Sequence, residues 1–143
     1  MFRALFLLAA GIGVGVGAGG MTASHQHEDG EKVKILSAKD IKEKLDGKEA
    51  MATVVEVTIE PGQGGLPHRH PGSAIGYVAE GEYELGIDEQ PTKVLKAGQT
   101  FYEPAGCVHR VSRNPGKVKT RLIAVVLHPR DKKEVAVPVT RED

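Results

Sequence analysis

From Ala50 onward, the chain consists of short segments in which apolar and polar side chains alternate, separated by Gly- and Pro-rich turns. In the first segment Val55, Val57 and Ile59 alternate with polar residues, and the sequence PGQGG then interrupts the pattern. An alternation of period two predicts a β-strand. Similar segments lie at about 74–80, 82–88, 92–96, 99–103, 107–112, 118–128 and 134–139. Many short strands with evenly spaced turns predict an all-β sandwich or barrel.

Composition limits the classes of protein that the chain can represent. A length of 143 residues allows one compact domain with short appendages. The formal net charge is zero, which argues against a nucleic-acid partner, and the 4% of aromatic residues argues against base stacking. Because Cys107 is the single cysteine, the chain cannot form an intrachain disulfide or a cysteine-rich metal site.

The N-terminus has the pattern of a secretory signal peptide. Arg3 precedes an uncharged apolar run that ends in small residues, and polar sequence follows from His25. We expect residues 1–24 to be this leader, with cleavage after Gly20 or after Ser24, and an exported protein that is periplasmic or secreted. The alternative is an uncleaved membrane anchor, but residues 4–20 would span only roughly 25 Å as a helix, short of a membrane core of ~30 Å. No stable membrane insertion is therefore expected after cleavage.

Residues 25–49 are predicted to form a polar tail followed by one short helix. His25 and His27 in the tail could chelate a metal, but a polar spacer explains them as well. In the segment LSAKDIKEKLDG, Ser37 is placed to cap a helix and Gly47 to end it. The barrel is then expected over residues 50–143.

Three histidines are the candidate metal ligands. His68 and His70 are two residues apart, so on a strand both side chains point to the same side. His109 follows the turn PAGCV and opens another predicted strand. Three neutral imidazoles on neighbouring strands can bind a divalent transition metal and leave coordination positions open. The alternative is that these are surface histidines on a polar hairpin.

The spacing around these histidines resembles the two motifs of the cupin superfamily, G-x5-H-x-H-x3,4-E-x6-G and G-x5-P-x-G-x2-H-x3-N. The first motif is matched by Gly62, His68, His70 and Gly81, and the second by Gly98, Pro104, Gly106 and His109. The resemblance covers about residues 50–128. It implies a single-domain, all-β cupin jelly-roll barrel with one metal ion near its centre, and frequent dimerisation, so that a homodimer is expected.

The chain departs from these motifs at two positions. Ala74 stands where the family has its ligating Glu, and Asn114 lies one residue late. Without that carboxylate the metal site would keep more positive charge and bind its ion less tightly. Glu103 is the leading replacement and a candidate catalytic base, and weaker candidates are Glu80, Glu82 and Cys107.

Some neighbouring side chains are expected to play secondary roles. Tyr77 and Tyr102 could bond a bound substrate, although packing on an amphipathic strand also explains them. Arg69 and Arg110 alternate with the histidines and should point away from the metal.

Two functions follow from this site. The first is a mononuclear metal-dependent oxygenase, dioxygenase-like, that acts on a small chelating organic substrate. The alternative is a non-catalytic sensor or carrier of a metal or small ligand, and a third, weaker hypothesis is a metal-free scaffold. The expected cofactor is a divalent transition metal ion, with Fe, Mn, Ni, Cu and Zn left open.

Overall fold

The computed structural model describes residues 30–139, and within this range the chain forms β-strands and no helix. It follows that the described part contains no helix long and apolar enough to cross a membrane. The predicted leader, its cleavage site, His25 and His27 lie outside the described residues. The strands are β1 (Glu31–Leu45), β2 (Lys48–Ile59), β3 (Gly64–Gly65), β4 (His68–Arg69), β5 (Ser73–Glu80), β6 (Glu82–Ile87), β7 (Lys93–Lys96), β8 (Thr100–Glu103), β9 (Val108–Arg113), β10 (Thr120–Pro129) and β11 (Val137–Pro138).

The strands form two antiparallel sheets. One sheet has five strands in the order β1-β2-β10-β5-β8. The other has the order β11-β4-β9-β6-β7, with β3 paired to β9. Strands that are distant in sequence are neighbours in both sheets, and β10 lies between β2 and β5. This architecture confirms the predicted all-β fold class.

The short helix predicted in LSAKDIKEKLDG is wrong, because β1 extends over Glu31–Leu45 and the hairpin turn into β2 follows it. Glu31, Val33 and Ile35 alternate with lysines, which is the pattern of a strand with one side facing the interior. Asp46 and Gly47 both have positive φ (49° and 75°) and form the hairpin turn into β2. Pairing along nearly the whole of β2 outweighs the helical signal of the sequence. Gly47 therefore marks a hairpin instead of the end of a helix.

The core lies between the sheets and is filled by alternate residues of the strands. Its buried cluster is aliphatic except for one aromatic ring and the Cys107 thiol: Ile59, Val78, Tyr83, Leu85, Ile87, Cys107 and Leu122. This arrangement places one side of β2, β5, β6 and β10 inside the molecule. The interior-facing side chains also line the cavity described below.

Two residues of the cupin-like motifs, Gly81 and Asn114, have structural roles at the ends of strands. Gly81 joins β5 to β6 with φ of +76°, and a Cβ there would lie 2.6 Å from the carbonyl oxygen of Lys119. Asn114 is fully buried, and its Nδ2 donates to the carbonyls of Ile59 (3.0 Å) and Val118 (2.8 Å). Although Asn114 lies one residue later than the motif, it ties the end of β9 to the end of β2.

Candidate metal centre

The three candidate histidines meet at one point of the interior. His68 on β4 and His109 on β9 are direct partners in the antiparallel ladder, and His70 follows β4 by one residue. One ring nitrogen of each histidine lies within 4.8 Å of the others. His109 is buried and the other two rings are half-buried. The predicted cluster is therefore assembled, and these three imidazoles could hold a metal ion.

Backbone carbonyls fix which nitrogen of two histidines faces the cluster. Nδ1 of His68 donates to the carbonyl of Leu66 (2.8 Å), and Nδ1 of His70 donates to the carbonyl of Val135 (2.5 Å). A carbonyl oxygen only accepts hydrogen bonds, so each Nδ1 carries the proton. Nε2 is therefore the nitrogen of each ring that faces the cluster, and in the neutral form of the ring it can bind a cation.

A chain of buried hydroxyls orients the third histidine. Nε2 of His109 lies 3.0 Å from the Tyr83 hydroxyl, which lies 3.0 Å from Oγ of Ser112. Ser112 in turn donates to the carboxylate of Glu31. With Ser112 donating to Glu31, Tyr83 donates to Ser112 and His109 donates to Tyr83. Nδ1 of His109 is then unprotonated, and it faces Nε2 of His68 at 3.2 Å.

Glu103 brings a carboxylate to the same point. Its Oε2 lies 3.2 Å from Nε2 of His70 and 3.3 Å from Nδ1 of His109. The residue is 1% exposed, and Oε2 has no polar partner beyond these two imidazoles. A buried carboxylate is costly without a compensating charge, which a protonated imidazole or a bound cation at this point would supply.

The charges within the cluster depend on one another. Burial raises the pKa of Glu103, but the adjacent His70 and the other imidazoles outweigh it, so that its pKa is lowered overall. Burial and His109 lower the pKa of His68 to about 4. At neutral pH the cluster therefore offers an ionised carboxylate and at least one neutral imidazole, which are the forms that bind metals.

The weaker candidates for the missing carboxylate lie elsewhere. Glu80 is exposed and pairs with Arg121 at 2.8 Å, and Glu82 is half-buried beside Gly116. Cys107 packs in the core, where burial raises the pKa of its thiol to about 11.

Of the side chains predicted to have secondary roles, the two arginines lie as predicted and the two tyrosines do not reach the cluster. Arg69 and Arg110 are exposed, and they donate to backbone carbonyls away from the cluster, as predicted. Tyr77 and Tyr102 are 46% and 58% exposed, so neither is placed to touch a ligand at the cluster. Tyr83 is the tyrosine at this site.

The cluster lines a cavity of about 270 Å³. Most of the other lining side chains are apolar and come from β1, β2 and β10, and residues between Lys133 and Pro138 also line it. Glu31 and Ser112 line it as well, and burial raises the pKa of Glu31 to about 7. The histidine cluster therefore faces a cavity that can hold a small molecule.

Sequence reasoning missed Glu31, Ser112 and Tyr83 as parts of this site. Assigning residues 25–49 to a tail and helix removed Glu31 from the barrel. Tyr83 could have been found from strand period, because it alternates with the less buried residues of β6. Ser112 could not, because it lies three residues after His109 and reaches the same side only through a register shift in β9. The alternation of Glu31, Val33 and Ile35 with lysines was the available signal for β1.

Comparison with known proteins agrees with this fold. The germin-like protein subfamily 2 member 2 of Arabidopsis thaliana is 35% identical over 81 residues, which cover 52% of this chain and 36% of that protein. A solved structure of oxalate oxidase superposes with a TM-score of 0.60 at 25% identity, covering 82% of this chain and 60% of that one. A double-stranded β-helix protein of Klebsiella pneumoniae gives a TM-score of 0.60 at 20% identity, covering 81% and 91%.

The curated relatives are longer than this chain, which spans between 32% and 40% of their length. The family model described as "Cupin domain" matches residues 55–126. This match covers half of the chain and includes both histidine motifs and Glu103. The chain therefore belongs to the cupin family.

Proposed function

We propose that the protein is an exported, metal-binding cupin that acts as a mononuclear metal-dependent oxygenase on a small organic molecule. The observation that supports this most is the convergence of three imidazoles beside the buried Oε2 of Glu103, in the lining of a largely apolar cavity. The leader-like residues 1–24 support export.

His68, His70 and His109 would hold the ion, and Glu103 would supply a fourth, carboxylate donor. The donor set suits a divalent transition metal, because imidazole and carboxylate are typical ligands of such ions. A redox-active ion bound there would supply Lewis acidity and electron transfer to the reaction. Glu103 would then replace the carboxylate that Ala74 lacks.

Hydrogen bonds from the chain's own groups would hold the three imidazole rings in the orientation that binds the ion. The carbonyls of Leu66 and Val135 hold two rings with Nε2 facing inward. The Tyr83 hydroxyl holds the third ring. The apolar walls of the cavity would exclude water from a reacting molecule, which strengthens electrostatic interactions inside.

Similarity to oxalate oxidase supports an oxidative reaction and makes oxalate one of the substrates to test. A non-catalytic carrier or sensor is the second candidate function. It is favoured by the largely apolar cavity, which can bind a small ligand without a reaction.

Metal analysis combined with oxygen uptake separates these functions. Protein purified from its own compartment is analysed for Fe, Mn, Ni, Cu and Zn, and oxygen uptake is measured with oxalate, diketones, catechols and flavonols. One redox-active ion per chain with uptake for one substrate class is the expected result. A bound metal without uptake in iron-, manganese- and copper-loaded samples favours the carrier, and an absence of metal in all preparations contradicts both functions.

Two histidine variants control for the site. We expect His68→Ala and His109→Ala each to lose tight metal binding while the fold, checked by circular dichroism, remains. His128→Ala is the matched control, because His128 is buried in β10 and its Nε2 bonds Thr53 at 2.9 Å instead of joining the cluster. Stoichiometric metal in either cluster variant would refute the ligand assignment.

Export is tested by sequencing the N-terminus of the mature protein. Expression of the full chain should yield a protein that begins at Met21 or at His25, recovered from the periplasm or the medium. Recovery of the intact chain with Met1 from the cytoplasm would contradict export.

A further inference from the structure

The polarity of the side chains that line the cavity indicates which class of ligand it can bind. Apart from the cluster and its hydroxyl chain, the interior wall is formed by aliphatic and aromatic side chains: Val33, Ile35, Val55, Val57, Phe101, Leu122, Ala124 and Val126. They come from β1, β2, β8 and β10, all strands of the same sheet. Most of the surface that a ligand would contact away from the histidines is therefore apolar.

Positive charge is scarce on this wall. Among the described residues that line the cavity, Lys133 is the one lysine and there is no arginine. Lys133 is exposed and directly precedes Glu134, which is also exposed and also lines the cavity. These opposite charges lie in solvent at the same segment, so they give an anion no buried partner.

Negative charge is present inside. Glu103 and Glu31 are 1% and 6% exposed, and both line the cavity. A divalent ion at the histidines would add two positive charges, which Glu103, and Glu31 when ionised, would offset. The charge of the site would then be at most one positive charge, so at least one carboxylate of an entering dianion would be buried without a compensating cation, which is unfavourable.

We infer that the cavity takes a neutral, largely apolar small molecule with one oxygen donor for the metal end, in preference to a carboxylate such as oxalate. This inference rests on the proposed function for the role of the metal. The volume fits such a ligand, since an apolar cavity of about 150 Å³ already holds benzene, and this cavity has about 270 Å³.

Benzamide and benzoate test the inference because they have the same shape and differ in charge. Their binding, and that of oxalate, is measured by isothermal titration calorimetry on the full mature chain loaded with zinc, which prevents redox turnover. We expect benzamide to bind at least tenfold more tightly than benzoate and oxalate. Equal or tighter binding of either anion would overturn the inference, as would absence of benzamide binding to zinc-loaded protein.

Two variants place the ligand and test the role of charge. Ala124→Leu fills the wall and should weaken benzamide binding at least tenfold, whereas Val125→Leu, on the opposite side of β10, should not change it. Leu66→Arg adds a cation at a cavity-lining residue that is 51% exposed. It should strengthen benzoate binding and so reduce the ratio of benzamide affinity to benzoate affinity. Unchanged benzamide binding in Ala124→Leu would place the ligand elsewhere and contradict the inference.

The same samples separate failure of this inference from failure of the proposed function. Zinc per chain is measured in each titrated sample. If zinc is bound and the anions are preferred, the ligand class is wrong but the metal centre stands. If zinc does not bind, the proposed function fails. The ratio of benzamide affinity to benzoate affinity, measured on the metal-free chain, then still decides whether the cavity prefers neutral ligands.

Discussion

Ala74 and Glu103 are direct partners across the neighbouring antiparallel strands β5 and β8. Both are buried, at 2% and 1% exposure, and both line the cavity. Side chains of directly paired residues lie on the same side of a sheet, with Cβ atoms about 4.5–5.5 Å apart. The carboxylate that the cupin motif places on β5 thus has a counterpart one strand away, at the same level of the barrel.

Moving the carboxylate back across the strands should preserve metal binding. Glu103→Ala is expected to weaken metal affinity at least roughly tenfold. Mutation of a residue that only supports the metal ligands typically lowers affinity about 10- to 100-fold, and a direct ligand should matter at least as much. The double variant Ala74→Glu/Glu103→Ala should recover most of this loss. Metal affinities are measured by competition with a chromophoric chelator, and Glu80→Ala, at an exposed position, is the control. Unchanged affinity in Glu103→Ala would remove this residue from the site.

Loss of the Tyr83 hydroxyl should loosen the metal centre without unfolding it. Tyr83→Phe removes the hydrogen bond to Nε2 of His109, and we expect metal affinity to fall about 10- to 100-fold. Tyr102→Phe should have no effect, because Tyr102 is 58% exposed. ¹⁵N NMR of the metal-free protein reports the tautomer of His109, which should become mixed in Tyr83→Phe alone. An unchanged tautomer together with unchanged affinity would disprove the positioning role.

Glu31 should make metal-free protein less stable as the pH rises. Burial raises its folded-state pKa from 4.5 to about 7, so between these values the folded chain binds the proton more tightly than the unfolded chain. Stability therefore falls as the pH rises through this window, by up to about 3 kcal/mol. Urea unfolding at pH 5 and at pH 8 measures this change in the free energy of unfolding.

Glu31→Gln is the reference for this measurement, because it lacks the titrating group and keeps the other titrating residues. The free energy of unfolding of wild type minus that of Glu31→Gln should decrease from pH 5 to pH 8. A difference that is constant, or that increases with pH, would show that Glu31 does not have a raised pKa.

Asn114 should be among the polar side chains most important for folding. Asn114→Asp keeps the shape but removes the donor to the carbonyls of Ile59 and Val118 and buries a charge. We expect a loss of about 3 kcal/mol or more in the free energy of unfolding. Arg113→Ala is the neighbouring control, since its ion pair with Glu84 is exposed and should contribute less than about 1 kcal/mol. Equal losses in both variants would contradict the role of Asn114.

The strand pattern and motif spacing were sufficient to predict the all-β fold and to bring His68, His70 and His109 together. These predictions succeed because both depend on local rules, namely the period of two and the turns at glycines such as Gly81. A short helix was predicted between Ser37 and Gly47 because both residues resemble helix caps. The strand structure of this segment depends on pairing with β2, which is a long-range contact.

The shell around the histidines could not be read from spacing alone. Glu103 comes next to the cluster because β8 pairs with β5, and Glu31 comes next to Ser112 because β1 pairs with β2. These relations depend on sheet order. A sequence indicates which residues can ligate a metal, whereas sheet order decides which carboxylate reaches it.

X-ray absorption spectroscopy of the zinc-loaded protein tests the central claim most directly, because it counts and identifies the ligands of the bound ion. We expect scattering from three imidazole rings at about 2.0 Å and one oxygen donor, with no sulfur. In Glu103→Ala the three imidazoles should remain and the oxygen should be replaced by water or lost. Fewer than three imidazoles in the wild-type spectrum, or a sulfur ligand from Cys107, would contradict a metal centre built on His68, His70 and His109.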